Sequence, residues 1–401
     1  MAAASIDLAG LAATLVAEAG EAGADVHGSG AALARAAVRL GPRSNLGIRS
    51  SRAADLPGLS CELFAPKLSR KLAPVPHPGP MPPWFKPWSN VAATDEVRLL
   101  RIPGGHLLHL AHAPVVLTAN ADAMVQDCSG RYAPLVNYVA TDLDAVLRAA
   151  RPVPGTVFVL GTEIQPVNYC HWLIDDLPRL HVLEEIGRHR DVTVAVPPLT
   201  AAFQRETLRS CGFDDAHVVE LGPMQALRSD TLLATNDLPD PPHPAFKAAA
   251  WALHFLRQRI GGAMANGRGR RLYLSRADGV GRRIVNEAAL VAALRPLGVE
   301  AETLADKTVR EQAALLAGAS FVVAPHGAGL ANIVFAPPGA GLLELFPRSY
   351  GTPAYYLLAR GAQLDYAYLL VEDVVPGERA QLDDMRVDVA QVAAKCRQML
   401  R

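Results

Sequence analysis

Three groups of residues in this chain have the types and spacing to do chemistry. His171, Asp175 and Arg179 stand four residues apart in Asn168-Tyr-Cys-His-Trp-Leu-Ile-Asp-Asp-Leu-Pro-Arg179. On a helix they share one face. A carboxylate beside an imidazole is a pair that can take a proton from a hydroxyl, although the same spacing also describes a surface ion-pair stripe. Ser275 and Arg276 stand at the end of an expected strand, Arg271–Ser275, and Arg282 and Arg283 follow after a glycine-containing loop. Arginine donates bidentately and stays charged, which suits a diphosphate. Arg276 and Arg283 are read as the phosphate ligands, and Arg282 as a solvated loop position with Asn286 as a plain N-cap. The third group is His326, Gly327, Ala328 and Gly329, followed at some distance by Glu344 inside a second apolar run. Glycines let a ligand approach the backbone, a helix N-terminus attracts an anion, and a carboxylate at the end of the next strand can hold ribose hydroxyls.

These residues need a scaffold. Ala319–Ala324 is a continuous apolar run, as expected of a strand buried on both faces. With the turn at His326–Gly329, a helix from Leu330 to Phe335 and a strand from Gly341 to Phe346, it makes a strand–turn–helix–strand unit. Strands are expected at 156–160, 192–196, 217–221, 271–275, 299–303, 320–324, 341–345 and 363–368. Helices are expected near 169–186, 201–211, 286–295, 309–317, 330–335 and 353–360. Such alternation implies parallel sheets with helical crossovers, hence an α/β fold built of two Rossmann-like domains. Thr308-Val-Arg-Glu311 is a capping box, which explains Glu311 without a function. Pro178 should kink or end its helix. From Glu96 to Gln126 the pattern is β-like and suggests hairpins at one sheet edge.

Proline clusters at Pro74–Pro87 and Pro239–Pro244 read as a connector and a hinge. They divide the chain into an N-terminal appendage (1–75, partly flexible, β-rich and partly helical), a first Rossmann-like domain (76–240) and a second Rossmann-like domain (241–401). Helices at 6–18 and 31–40 are expected in the appendage. The final stretch, 384–401, reads as a helix able to cross back to the first domain.

Composition narrows the function. Thirty-nine basic and 39 acidic residues give a formal net charge of zero, so no global field draws nucleic acid or an anionic membrane. Five scattered cysteines, none in C-x-x-C spacing, fit neither a disulfide framework nor a zinc site and suit a reducing compartment. No apolar run reaches the ~18–20 residues of a spanning helix, and the N-terminus lacks the pattern of a secretory signal. A cytoplasmic location is expected, with peripheral contact at the inner face of the membrane left open.

Taken together, the motifs resemble glycosyltransferase family 61. Its pattern N-Y-x-H-W/F-x-x-D-x-L-P-R matches Asn168, Tyr169, His171, Trp172, Asp175, Leu177, Pro178 and Arg179. A strand ending Ser-Arg with a following R-x-x-x-N-E is read on Ser275, Arg276, Arg283, Asn286 and Glu287. H-G-A-G-L-x-N and a strand glutamate match His326–Leu330, Asn332 and Glu344. The resemblance implies two facing domains of the GT-B type, a nucleotide-sugar donor with a UDP-sugar expected, a glycan or other hydroxyl acceptor, inversion at the anomeric carbon, and work in glycan or polysaccharide synthesis. No cofactor and no metal are expected: the D-x-D match, Asp142-Leu-Asp144, reads better as an acidic first helical turn. On this reading Asp175 is the first choice for the base, with His171 as base or orienting group. Asn168, Tyr169 and Arg179 lie on the acceptor side. Ser275, Arg276, Arg283, His326, Gly327, Ala328, Gly329 and Glu344 bind the donor. A two-domain nucleotide-sugar epimerase and a non-catalytic nucleotide- or sugar-binding protein are the rivals, with a dehydrogenase third.

Overall fold

The computed structural model describes residues 48–66, 68–71, 91–94, 96–110, 113–129, 143–161, 168–236, 249–261, 269–374 and 382–401. Both proline clusters and the helices expected at 6–18 and 31–40 lie outside the described residues. The fold is mixed α/β, with parallel strands and helical crossovers.

The first sheet has a parallel centre in the order Ala226–Thr235, Arg151–Val159, Val192–Val196, Val218–Glu220. Antiparallel strands extend its Ala226–Thr235 side. His106–Leu110 pairs with the first half of that long strand and Val97–Pro103 with the second. The hairpins anticipated from the sequence are therefore part of the sheet. So are Arg49–Ser51 and Ser60–Ala65: they pair with Ala123–Val125 and Val97–Pro103, and so join this sheet instead of forming the separate appendage expected for 1–75.

The second sheet runs Val299–Glu302, Arg270–Leu274, Ala319–Pro325, Gly341–Pro347, Asp365–Asp373, all parallel. Numbered along the chain, that order is 2-1-3-4-5. The chain reverses its winding between Arg270–Leu274 and Ala319–Pro325, and a crevice opens beyond the carboxyl ends of such a strand pair. Met385–Arg386 adds an antiparallel edge strand where helix alone was expected. The last helix, Val389–Met399, does not cross back: Val392 and Cys396 pack with Leu290 and Leu294 of the helix Glu287–Leu294 on the second sheet.

One hydrophobic cluster joins both sheets. It runs from Phe158 and Leu233 through Leu173 and Phe255 to Val322 and Phe335. Burial of such aliphatic and aromatic side chains contributes roughly 1.5–3 kcal/mol each. No helix among the described residues is long and apolar enough to cross a membrane.

Candidate active site

The crevice at the winding reversal holds a cavity of ≈ 580 Å³, within the usual range for a small-molecule site. Leu274, Ser275 and Arg276 enter it from one strand end, and Ala324, Pro325 and Gly327 from the other. Tyr169, Phe203 and Glu206 reach it from helices of the first sheet. Glu206 spans the two parts, accepting hydrogen bonds from the backbone of Val309 at 2.9 Å and Arg310 at 3.0 Å. The N-terminus of the helix Val309–Ala317 is thus already filled by a carboxylate, and by the Thr308–Glu311 capping box anticipated from the sequence.

Arg276 lies against the glycine turn. Its Nε and Nη2 donate to the Gly281 carbonyl at 3.1 and 3.0 Å. A Cβ on Gly327 would fall 1.8 Å from Nη1. Burial, and then the charge of Arg282, pull the Arg276 guanidinium down to about 10, still cationic at neutral pH. Gly281 is needed for a close approach of its own, since a Cβ there would meet the Leu382 carbonyl oxygen at 2.5 Å.

The two arginines after the loop exchange the roles expected of them. Arg283 is turned outward, its side chain 53% exposed, and its guanidinium is paired with Asp384 at 2.8 Å. Asp384 raises its pKa, and the charge meant for a phosphate is spent on the protein. Arg282 points inward. Its Nε is buried without a hydrogen-bond partner among the described residues, and its guanidinium lies 5.2 Å from the centre of the Tyr350 ring. Its charge acts on His326, Glu344 and Arg276. The physical reason is alternation. Residues 283–285 bond alongside 382–385, with Ile284 bridged to Met385, so successive side chains change face. Ile284 is buried and Arg282 half-buried, whereas Arg283 and Val285 are exposed. The left-handed backbone of Arg282, φ 57°, starts this segment. The spacing already held the signal: in R-x-x-x-N, the arginine four before Asn286 is Arg282. Asn286 itself makes no side-chain cap and instead pairs with the backbone of Val387.

Glu344 does not stand at a strand end for ribose. It is fully buried, with Oε1 2.5 Å from His326 Nδ1 and Oε2 accepting from the Tyr366 hydroxyl at 2.7 Å. Tyr366 was missed in the sequence; its cue was Tyr-x-Tyr alternation in the strand beside Glu344. His326 stacks on Phe346 and touches Tyr350 and Tyr355. Burial, then the charges of Arg282 and Arg276, push its pKa well below the usual imidazole value. Burial pushes Glu344 well above the carboxylate range, against Tyr366 and Arg282. Ala328 opens the 3-10 helix Ala328–Phe335, and the Gly329 carbonyl accepts from the Asn332 amide at 3.1 Å. Ser275 lines the cavity while its hydroxyl donates to Glu287 at 2.8 Å.

The first motif meets the third directly. Asn168 caps its helix, accepting from the backbone of Cys170 and His171. Tyr169 donates to Asn332 at 2.7 Å. Tyr355, beside His326, also reaches Cys170. The helix then widens into a π turn, Trp172–Asp176, and tightens into a 3-10 turn at Pro178. Trp172, Leu173 and Leu177 are buried, as their apolar character required. His171 Nδ1 is 2.7 Å from Asp175 Oδ2, with the histidine side chain 33% exposed and the aspartate 10%. Arg179 does not complete the stripe. It is buried, donating to the Asp175 carbonyl, the Thr235 hydroxyl at 2.6 Å and the Asn236 carbonyl. It ties the helix to the first sheet and cannot face an acceptor.

Comparison with known proteins agrees with the motifs. The family model Glycosyltransferase 61 matches residues 169–343, a span that leaves out Asn168 and everything from Glu344 onward. No curated protein matches the chain. Among solved structures, a mutant flavo di-iron protein from Thermotoga maritima is 12% identical, covering 76% of this chain and 96% of that chain, with a TM-score of 0.23. That likeness is too slight to carry an argument. Residues 169–343, which hold the His171–Asp175 pair, the loop arginines and the glycine turn, match glycosyltransferase family 61.

Proposed function

We propose that this protein moves a sugar from a nucleotide-diphosphate sugar, expected to be a UDP-sugar, to a hydroxyl of a glycan or similar acceptor, with inversion and without a metal. The observation that carries the reading is the cavity at the winding reversal, with Arg276 laid over Gly327 in its wall. The nucleoside takes the cavity, beside Tyr169 and Phe203. The diphosphate takes the arginine end, where Arg276 and Arg282 converge on charge that grows as the bond to the sugar breaks. On this reading the two sheets are the facing domains of a GT-B enzyme, acting in glycan or polysaccharide synthesis in the cytoplasm.

The acceptor oxygen attacks the anomeric carbon from the face opposite the phosphate. The new carbon–oxygen bond forms as the old one breaks, and the diphosphate leaves with its electron pair. The acceptor proton goes to a base. Asp175 is largely buried and holds His171 Nδ1, so its role is to orient the ring, and His171, one third exposed, is the base through Nε2.

A thermal-shift and calorimetric screen of nucleotides and nucleotide sugars tests the reading, since a ligand that binds only the folded state raises its stability. Binding of nucleoside diphosphates, with diphosphate release only when acceptor is present, is the expected result. Release without acceptor would point to an epimerase or hydrolase, and tight binding with no turnover to a binding protein.

A further inference from the structure

Glu344 is a carboxyl in the middle of a strand, Gly341–Pro347, that is otherwise apolar and entirely buried. A carboxylate is rarely placed so unless something holds its charge or removes it. The groups around it can be named element by element. Tyr366 and Tyr368 face the pair from the neighbouring strand, and Tyr355 from the helix Ala354–Gly361, with Cys170 behind it. Tyr350 comes from the loop after the strand, and Arg276 and Arg282 from the loop beyond Arg270–Leu274. Among the described residues no lysine or arginine bonds the carboxyl. Its partners are the Tyr366 hydroxyl on Oε2 and His326 Nδ1 on Oε1.

Two arginines already act on His326, so an imidazolium there would be a third cation in a dry site. A neutral imidazole with one proton shared toward Glu344 can be arranged in two ways. Either Nδ1–H faces a carboxylate, or Nδ1 accepts from a carboxylic acid and the ring proton sits on Nε2. Only the second places no unpaired charge in the core. Oε2 then accepts from Tyr366, and Oε1 carries the acid proton. Nε2 makes no hydrogen bond among the described residues.

We propose that Glu344, backed by Tyr366, is a positioning residue that keeps its proton on Oε1, donates it to His326 Nδ1, and so leaves His326 a neutral ring whose Nε2–H donates to the departing diphosphate. The recipient of that hydrogen bond rests on the transferase reading; the tautomer does not. No bond but hydrogen bonds changes in this step, and the acceptor proton still goes to His171.

Nitrogen NMR of the full-length protein with labelled histidine tests it, the His326 signals being those lost in His326→Asn. At neutral pH the ligand-free protein should show the Nε2–H tautomer. Glu344→Gln should keep it, because the amide N–H replaces the acid O–H while its carbonyl still accepts from Tyr366. Tyr366→Phe should mix the two tautomers. In turnover, Glu344→Gln should stay within roughly threefold of the parent, whereas Glu344→Leu should lose on the order of 10²–10³ in kcat with donor KM unmoved, the usual cost of removing one such donor. Saturating UDP should shift the Nε2 signal. A ligand-free His326 protonated on Nδ1, or on both nitrogens, overturns the proposal whatever the activity. A Glu344→Gln variant that keeps the tautomer but loses on the order of 10² in kcat overturns it too. An Nε2 signal unmoved by bound UDP removes the diphosphate as its acceptor. Absence of UDP binding overturns the transferase reading, while the tautomer is judged on the ligand-free spectrum alone. Should Glu344→Leu fail to fold, Glu344→Gln and Tyr366→Phe decide the matter.

Discussion

The Arg276 guanidinium occupies the space that a side chain on Gly327 would need, Nη1 lying 1.8 Å from where that Cβ would be. The glycine turn therefore makes room for an arginine of its own chain as well as for a ligand. Gly327→Ala must push Arg276 aside, because the guanidinium end of a side chain moves more easily than backbone. The variant should fold with near-parent stability and lose nucleotide-diphosphate affinity about as much as Arg276→Ala does, ~1.5–3 kcal/mol for a hydrogen bond to a charged group. Calorimetry on both variants is the check. Parent-like affinity in Gly327→Ala would remove Arg276 from the binding site.

Arg282 and Arg283 offer a paired control. Arg282→Ala should weaken nucleoside-diphosphate binding by ~1.5–3 kcal/mol. Arg283→Ala should leave binding unchanged and cost little stability, as removal of an exposed ion pair with Asp384 does. The reverse order of effects would return the phosphate role to Arg283.

The His171–Asp175 contact of 2.7 Å predicts a hierarchy. His171→Gln should lose the general base, roughly 10²–10⁴ in turnover, with donor binding intact. Asp175→Asn keeps the shape but disturbs which ring nitrogen carries the proton, and should fall nearly as far. Turnover at saturating donor and acceptor measures both. A fully active His171→Gln would mean that the base lies elsewhere.

Stability should depend on pH through the His326–Glu344 pair. Burial raises Glu344 above its ordinary 4.5, so its contribution is complete below that pH and is lost as pH rises toward the folded value. His326 is lowered below its ordinary 6.5, so its contribution is complete above 6.5 and is lost as pH falls. Glu344→Gln removes the first effect alone. Relative to the parent it should gain stability steadily as pH climbs above 4.5, by at most about 1.4 kcal/mol per pH unit. Urea midpoints across that range settle it; a difference that stays flat with pH would mean Glu344 titrates normally.

Metal independence is tested by chelation. Asp144 lies in the first turn of the helix Leu143–Arg148, where an acidic residue suits the helix dipole; Asp142 is outside the described residues. Turnover should survive EDTA. Loss of activity restored by manganese would show that a divalent cation shares the diphosphate with the arginines.

Much of this was legible before any coordinates. The strand Val192–Val196 and the helix Val309–Ala317 have the bounds their patterns suggested, because local periodicity and a capping box act over a few residues. The order of motifs marked which loops would meet. What sequence could not supply is which way a side chain turns when several loops converge. Arg282 and Arg283 are equal as letters. One left-handed residue and the pairing of 283–285 with a segment 100 positions later send one inward and spend the other on Asp384. Arg179 looked like the third member of a helical stripe, but a π turn breaks the register and the strand Ala226–Thr235 claims its donors. Glu344 suited ribose on pattern alone; Tyr366, brought alongside by strand pairing, and His326 take both of its oxygens. Sequence determined the elements and their chemical inventory, because those follow from neighbours in the chain. Tertiary structure decided which groups are free to act, because hydrogen bonds and charges are satisfied by whatever the fold brings within about 3 Å.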